Sequence, residues 1–245
     1  MRPENTLERL LTPRVSGAAG LAAVVVVLGG SFAAMATHPS YSVLRQYVSQ
    51  LALRTNPGHW FFDVGLMLGG AMMAVFSRGL GPLIPGAHGR RAAWLGVVAG
   101  VFMVLVGIFP LTLPVAHFGC AFVLFTAAIF ATLYAGLGLR HMARTAVRPG
   151  PLRAAGGGLV GLFGFMLAMT IAGFVHTAFA YRQVTSKDPA AVLKELPRHQ
   201  SVSLGGVTLN PVAMQEWVFL VLAMGLVLVG SIVCLRRRPM PKETL

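Results

Sequence analysis

Carboxylates are nearly missing from this chain. Seven Asp and Glu stand against twenty Lys and Arg, and charged residues of both signs make up only 11% of its 245 residues, too sparse a polar shell for an ordinary water-soluble domain. Cysteine is as scarce. Cys120 and Cys234 both lie inside apolar runs, one near the outer end of its span and the other near the inner end of another, so they cannot pair and packing accounts for both. No basic stretch is interleaved with aromatics, which excludes a nucleic-acid reader despite a formal charge of +13. No phosphate loop is present either: Gly156-Gly157-Gly158 follows no strand and precedes no Gly-Lys-Ser/Thr.

Apolar residues are what the chain has in abundance, at 56% with a mean hydropathy of +0.72. Runs long enough to cross a bilayer core cover residues 15–37, 59–77, 92–113, 115–139, 154–180 and 211–235. The expected fold is an all-α polytopic transmembrane bundle of six helices, one integral membrane domain over residues 1–245. Spans three and four are divided only by Leu113, Pro114 and Val115, a tight helical hairpin set by Pro110 and Pro114. Glycines such as Gly65, Gly69 and Gly70 let helices approach closely where water cannot drive association.

Orientation follows from the cations. With both termini in the cytoplasm, fourteen Lys and Arg fall on the cytoplasmic side and six in the outer loops, as the positive-inside rule expects. The run Arg236-Arg237-Arg238 directly after the last span serves as a stop. Arg9 and Arg14 ahead of an apolar run that ends in Ala34-Met35-Ala36 also resemble a cleaved secretory signal, although the run exceeds the usual length of such a segment.

The two long connections, 38–58 and 181–210, both face outward in this topology. In the first, Tyr41, Leu44, Val48 and Leu51 recur at helical spacing and predict a short amphipathic helix. In the second, Asp188-Pro189 starts a helix through Leu196, Ser201–Leu204 and Val207–Leu209 flank Gly205-Gly206 as a hairpin, and Asn210-Pro211 caps the sixth span. Trp60, Trp94 and Trp217 near span ends fit an aromatic belt. His38, His88, His141 and His199 are expected to be solvated at loops or interfaces.

Ionisable groups inside spans default to functional candidates, and Asp63, His117, His176 and Glu216 all lie at similar depth near the outer side. Converging from four helices, they would suit a divalent metal such as zinc with an open position for water. A polar pocket or proton relay without metal fits equally, as do Asp–His and Glu–His pairs that only specify packing. No two of the four share a helix at i, i+3 or i, i+4 spacing, so no HExxH-type signature selects among these. Ser49 is a candidate nucleophile from the first outer loop, and Tyr47 and His59 are within reach of the same cluster. The sharp reading is a hydrolase or other enzyme acting on lipid or lipid-linked substrate. Beside it stand a non-catalytic sensor, regulator or assembly partner, and a proton-coupled transporter. Membrane lipids are the expected partners; no protein partner or homo-oligomer is specified.

The run Ser42 to Ala52, Asn56-Pro57, then Phe62 to Leu66 opening a helix, Gly107-Ile108-Phe109-Pro110 and His117 together resemble the family called domain of unknown function 998. That resemblance implies a bacterial or archaeal membrane protein of about six helices, resident in the cytoplasmic (inner) membrane, and brings no established activity. In that family an acidic residue is common where Gln50 stands, and an asparagine where Asp63 stands.

Overall fold

The computed structural model describes residues 12–38, 40–184, 200–204 and 207–236. Six helices are long and apolar enough to cross a membrane, and the chain is a multi-pass membrane protein. They are α1 (Pro13–Ala36), α2 (His59–Leu83), α3 (Ala87–Ile108), α4 (Pro114–Met142), α5 (Pro149–Tyr181) and α6 (Pro211–Arg236).

Proline starts four of the six. At a first helical position its missing N–H is no loss and its fixed φ suits the helix. At α1 the Thr12 side chain accepts the Val15 N–H, and at α6 Asn210 Oδ1 accepts from Val212 and Ala213, both at 3.1 Å. Helix α3 begins after Gly86, whose φ of +92° favours glycine. Its end differs from the expected span: it stops at Ile108 because Phe109, held extended before Pro110, cannot continue a helix. Its start at Ala87 takes in Arg90 and Arg91, and α2 runs past the expected Ser77 to Leu83, with Pro82 in its final turn.

Consecutive helices from α1 to α5 are neighbours, and α6 returns to pack chiefly on α1. Val27, Leu51, Phe62, Met73, Phe76, Met103 and Met224 fill the core between them. Helix α5 is the outermost: 11% of its most apolar stretch is buried, against 50% for α2. Close helix contact is bought by glycine where α2 meets α3, since a Cβ on Gly70 would stand 2.6 Å from the Gly100 carbonyl oxygen. The hydroxyls of Ser31 and Ser231 bond within their own helices, donating to Val27 O at 2.8 Å and Val227 O at 2.6 Å, as spans without water require, whereas the buried Ser16 hydroxyl on α1 has no hydrogen-bond partner.

At one end of the bundle, called here the long-loop end, the described residues of 37–58 and 200–210 cover the helices. The expected amphipathic helix over Tyr41–Leu51 does not form. Instead the chain turns and makes a 3-10 helix at Val48–Ala52. The Gln46 side chain accepts the Ser42 N–H at 2.7 Å, while the Tyr41 hydroxyl donates toward the Tyr47 and Gln46 carbonyls at 2.8 and 3.2 Å. Side chains thus take backbone groups that a helix would have paired. The expected hairpin does form, β1 (Val202–Leu204) pairing antiparallel with β2 (Val207–Leu209). The helix expected from Asp188 to Leu196, His199, the Gly205-Gly206 turn, and Arg237 and Arg238 lie outside the described residues.

Candidate site at the long-loop end

Asn56 fixes the geometry of the first connection. Its Nδ2 donates to Ala34 O and Leu51 O at 3.2 and 3.1 Å, and its Oδ1 accepts from the Thr37 hydroxyl and the Gly58 N–H at 3.1 and 3.2 Å. One amide, 1% exposed, therefore ties the end of α1, the 3-10 helix and the start of α2 together.

The 3-10 helix buries Leu51 and Ala52 and presents Ser49 to α6. There the Ser49 hydroxyl and backbone N–H both donate to Glu216 Oε2, at 3.3 and 3.4 Å. Glu216 has no cationic partner among the described residues. Around this pair the Trp217 indole N–H donates to the Tyr41 hydroxyl at 3.1 Å, their rings edge to face at 6.1 Å, and the Asn210 N–H donates to Leu44 O at 2.8 Å. Burial first, and then the nearby Glu216, push the Tyr41 and Tyr47 phenols above the usual tyrosine range, so both remain neutral hydroxyls. Trp217 corrects the expected aromatic belt. It is 9% exposed and engaged inside, whereas Trp60 and Trp94, at 51% and 62%, do face outward.

The other three span candidates go elsewhere. Asp63 is buried on α2, with the His59 imidazole and the Arg54 guanidinium as neighbours and its Oδ1 without a hydrogen bond. Arg54 Nη1 lies 3.0 Å from His59 Nε2; a guanidinium only donates, so that nitrogen accepts and the ring proton sits on Nδ1. His117, 2% exposed, lies with Nδ1 2.8 Å from the Phe109 carbonyl, fastening the start of α4 to the end of α3. His176 Nε2 lies 3.1 Å from the Gln200 carbonyl, and Gln200 Nε2 donates to the Thr177 hydroxyl at 2.9 Å, which anchors the β1 side of the second connection on α5.

The structure thus brings Ser49 to Glu216 and does not gather the four span residues at one point. Among the described residues no three His, Cys, Asp or Glu side chains stand together as a metal would require. Each span histidine spends a ring nitrogen on a backbone carbonyl. His59 with Asp63 was overlooked as a unit, although four residues separate them, the spacing that puts two side chains on one helix face. Asn56 and Gln200 carried no comparable signal. His38 and His88, expected to be solvated, each bury an Nδ1 without a partner.

No curated protein and no solved structure matches the chain. Residues 19–186, more than half of the chain, match one family model; Ser49, Asp63, His117 and His176 lie within the match and Glu216 beyond it. The chain belongs to the family described as "Protein of unknown function (DUF998)".

Proposed function

We propose that the protein acts on a lipid or lipid-linked substrate at the long-loop end, with Glu216 as proton acceptor and Ser49 as the hydroxyl it activates. The observation that supports this is the Ser49–Glu216 contact itself, a carboxylate in an apolar span 3.3 Å from a serine hydroxyl. A carboxylate is expensive to keep in a span, and a function is the default reason for keeping it. At this depth water and the acyl or phosphoryl centre of a headgroup reach the same group. Glu216 takes the Ser49 proton as Oγ bonds to that centre, and the leaving group departs with the proton; water, deprotonated by the same carboxylate, then releases the product and restores Ser49.

The excess of cations in the other connections and the two terminal tails, fourteen against six, favours an orientation with both termini in the cytoplasm and the site at the outer leaflet of a bacterial or archaeal cytoplasmic membrane. In a Cys120→Ser/Cys234→Ser background, a cysteine at Ser42 then reacts with an impermeant maleimide in intact cells and one at Thr145 only after permeabilisation. The reverse pattern overturns the orientation.

A second reading is favoured by the bonds on either side of the pair. Asn210 N–H to Leu44 O and Trp217 to Tyr41 both fasten the first connection to α6, and Ser49–Glu216 would be one more clasp in a non-catalytic sensor, regulator or assembly partner. Glu216→Gln, which keeps the shape and an acceptor, separates the two. Cells lacking the gene are complemented with wild type, Glu216→Gln or Ser49→Ala, and membrane lipids are profiled by mass spectrometry. Correction of an altered profile by wild type but not by the folded variants supports catalysis; full correction by both variants leaves only the clasp.

A further inference from the structure

We propose that the groove between the starts of α3 and α5 and the end of α4 binds a phosphate-bearing anion. It lies at the end of the bundle opposite the long loops and has a volume of about 680 Å³. His88 of α3, Arg140, His141 and Arg144 at the end of α4, and Arg153 and Gly157 of α5 line it, with the aliphatic Leu137. Three arginines, all solvent-exposed, therefore line one space. The described carboxylates, Asp63 and Glu216, both sit at the other end of the bundle, so among the described residues none neutralises these arginines.

Topological charge alone accounts for the number of arginines at this end and not for their convergence. Arg78 lies outside the groove, and Arg91 is engaged over the Tyr134 ring at 5.4 Å. Guanidinium forks match the oxygens of a phosphate, and three arginines around one cavity with no described carboxylate among its lining favour an anion of that chemistry. His88 adds an unfilled hydrogen bond: its ring stacks on Tyr134 with centroids 6.1 Å apart, and its buried Nδ1 has no partner.

Beside the groove, part of the α5 face is uncovered. At Gly156 helix α5 is pressed on α4, where an added Cβ would stand 2.7 Å from Arg140 Cγ and 2.8 Å from the Gly136 carbonyl oxygen. One residue on, the space is free: nothing lies within 4 Å of a Cβ at Gly157, Gly161 or Gly164, which share one helix face. This uncovered glycine face runs from the arginines along α5, the least buried of the six helices, and suits an acyl chain below an anionic headgroup. The phosphate therefore belongs either to a phospholipid or to a soluble phosphate-bearing molecule that uses the headgroup pocket alone.

The test uses the full chain purified in neutral detergent, offered phosphatidylglycerol and phosphatidylcholine in equal amounts, with bound lipid read by native mass spectrometry. Inorganic phosphate is titrated in a parallel arm. Wild type is expected to retain phosphatidylglycerol over phosphatidylcholine, and Arg144→Gln/Arg153→Gln to lose that preference by roughly tenfold or more. Arg140 is left in place because its stem packs on Gly156. Gly157→Leu, which fills the groove without changing charge, is expected to lose the preference as well and carries the test if the double variant does not fold. Arg78→Gln is expected to behave as wild type. Binding of inorganic phosphate with no lipid preference assigns the site to a soluble ligand. Wild type that binds neither, or an Arg78→Gln loss equal to that of the groove variants, overturns the proposal.

Discussion

Ser49 and Glu216, 167 positions apart, meet with Ser49 Oγ 3.3 Å from Glu216 Oε2, and the Ser49 N–H points at the same oxygen. The contact joins the first connection to the last helix. Replacing Glu216 by Leu strands a hydroxyl and an amide that had one shared acceptor, at a cost of about 1–3 kcal/mol. Glu216→Gln retains an acceptor oxygen and is expected to lose less. Thermal unfolding in detergent reads the order wild type, Gln, Leu, and a Leu variant as stable as wild type would show that the contact carries no weight.

Tyr41 gives the long-loop end an alkaline limit. Its phenol is raised by burial, so in the range above the ordinary value of about 10 the unfolded chain loses the proton while the folded chain keeps it. Stability is therefore complete below that pH and falls as pH rises through it. Tyr41→Phe removes part of this dependence. It also leaves the Trp217 indole N–H without its acceptor, at about 1 kcal/mol. Unfolding midpoints at pH 8 and pH 11, followed by tryptophan fluorescence, measure both effects; an unchanged pH slope in the variant would refute the assignment to Tyr41.

Asn56 is expected to tolerate no exchange. Alanine leaves the Leu51 carbonyl and the Gly58 N–H unpaired and the Ala34 carbonyl with only its Thr37 donor, in a site that is 1% exposed, a loss of about 2–4 kcal/mol from several unmet partners. Aspartate is expected to be worse, because it turns an acceptor toward two carbonyl oxygens. Expression level and unfolding midpoint rank the three, and an Asp variant more stable than Ala would contradict the bonding assigned to Nδ2.

Gly100 and Gly161 should respond oppositely to alanine. At Gly100 the new methyl meets the Gly70 carbonyl oxygen at 2.6 Å and the Ala74 amide nitrogen at 2.8 Å. Backbone on both sides cannot yield cheaply, and a loss of about 1–3 kcal/mol is expected. At Gly161 the methyl enters open space and the helix gains up to about 1 kcal/mol in propensity. A thermal-shift comparison of the two single variants checks the sign of each.

The cap at Asn210, the hairpin around Gly205-Gly206 and the proline start of α6 were legible in the sequence because each depends on neighbours within four residues. The turn over Tyr41–Gln46 was not. Its apolar spacing suits a helix, and only the Tyr41 hydroxyl and the Gln46 amide, bonding locally to backbone, show why the chain abandons that path. His176 and His117 read as candidate ligands inside spans because the carbonyls they hold, from Gln200 and Phe109, leave no mark in sequence.

Hydropathy by itself determined that the chain crosses a membrane six times, where each crossing lies to within a few residues, and that Asp63, His117, His176 and Glu216 sit near one end. Depth along a helix is a one-dimensional quantity, and the sequence carries it. Rotation is not. In lipid the helices are apolar on every side, so no polar stripe marks which face meets protein. Only the tertiary structure decided that Glu216 turns to Ser49, that Trp217 turns inward to Tyr41, and that three arginines from two helices share a groove. The close approaches of glycine and a few buried hydrogen bonds set those rotations.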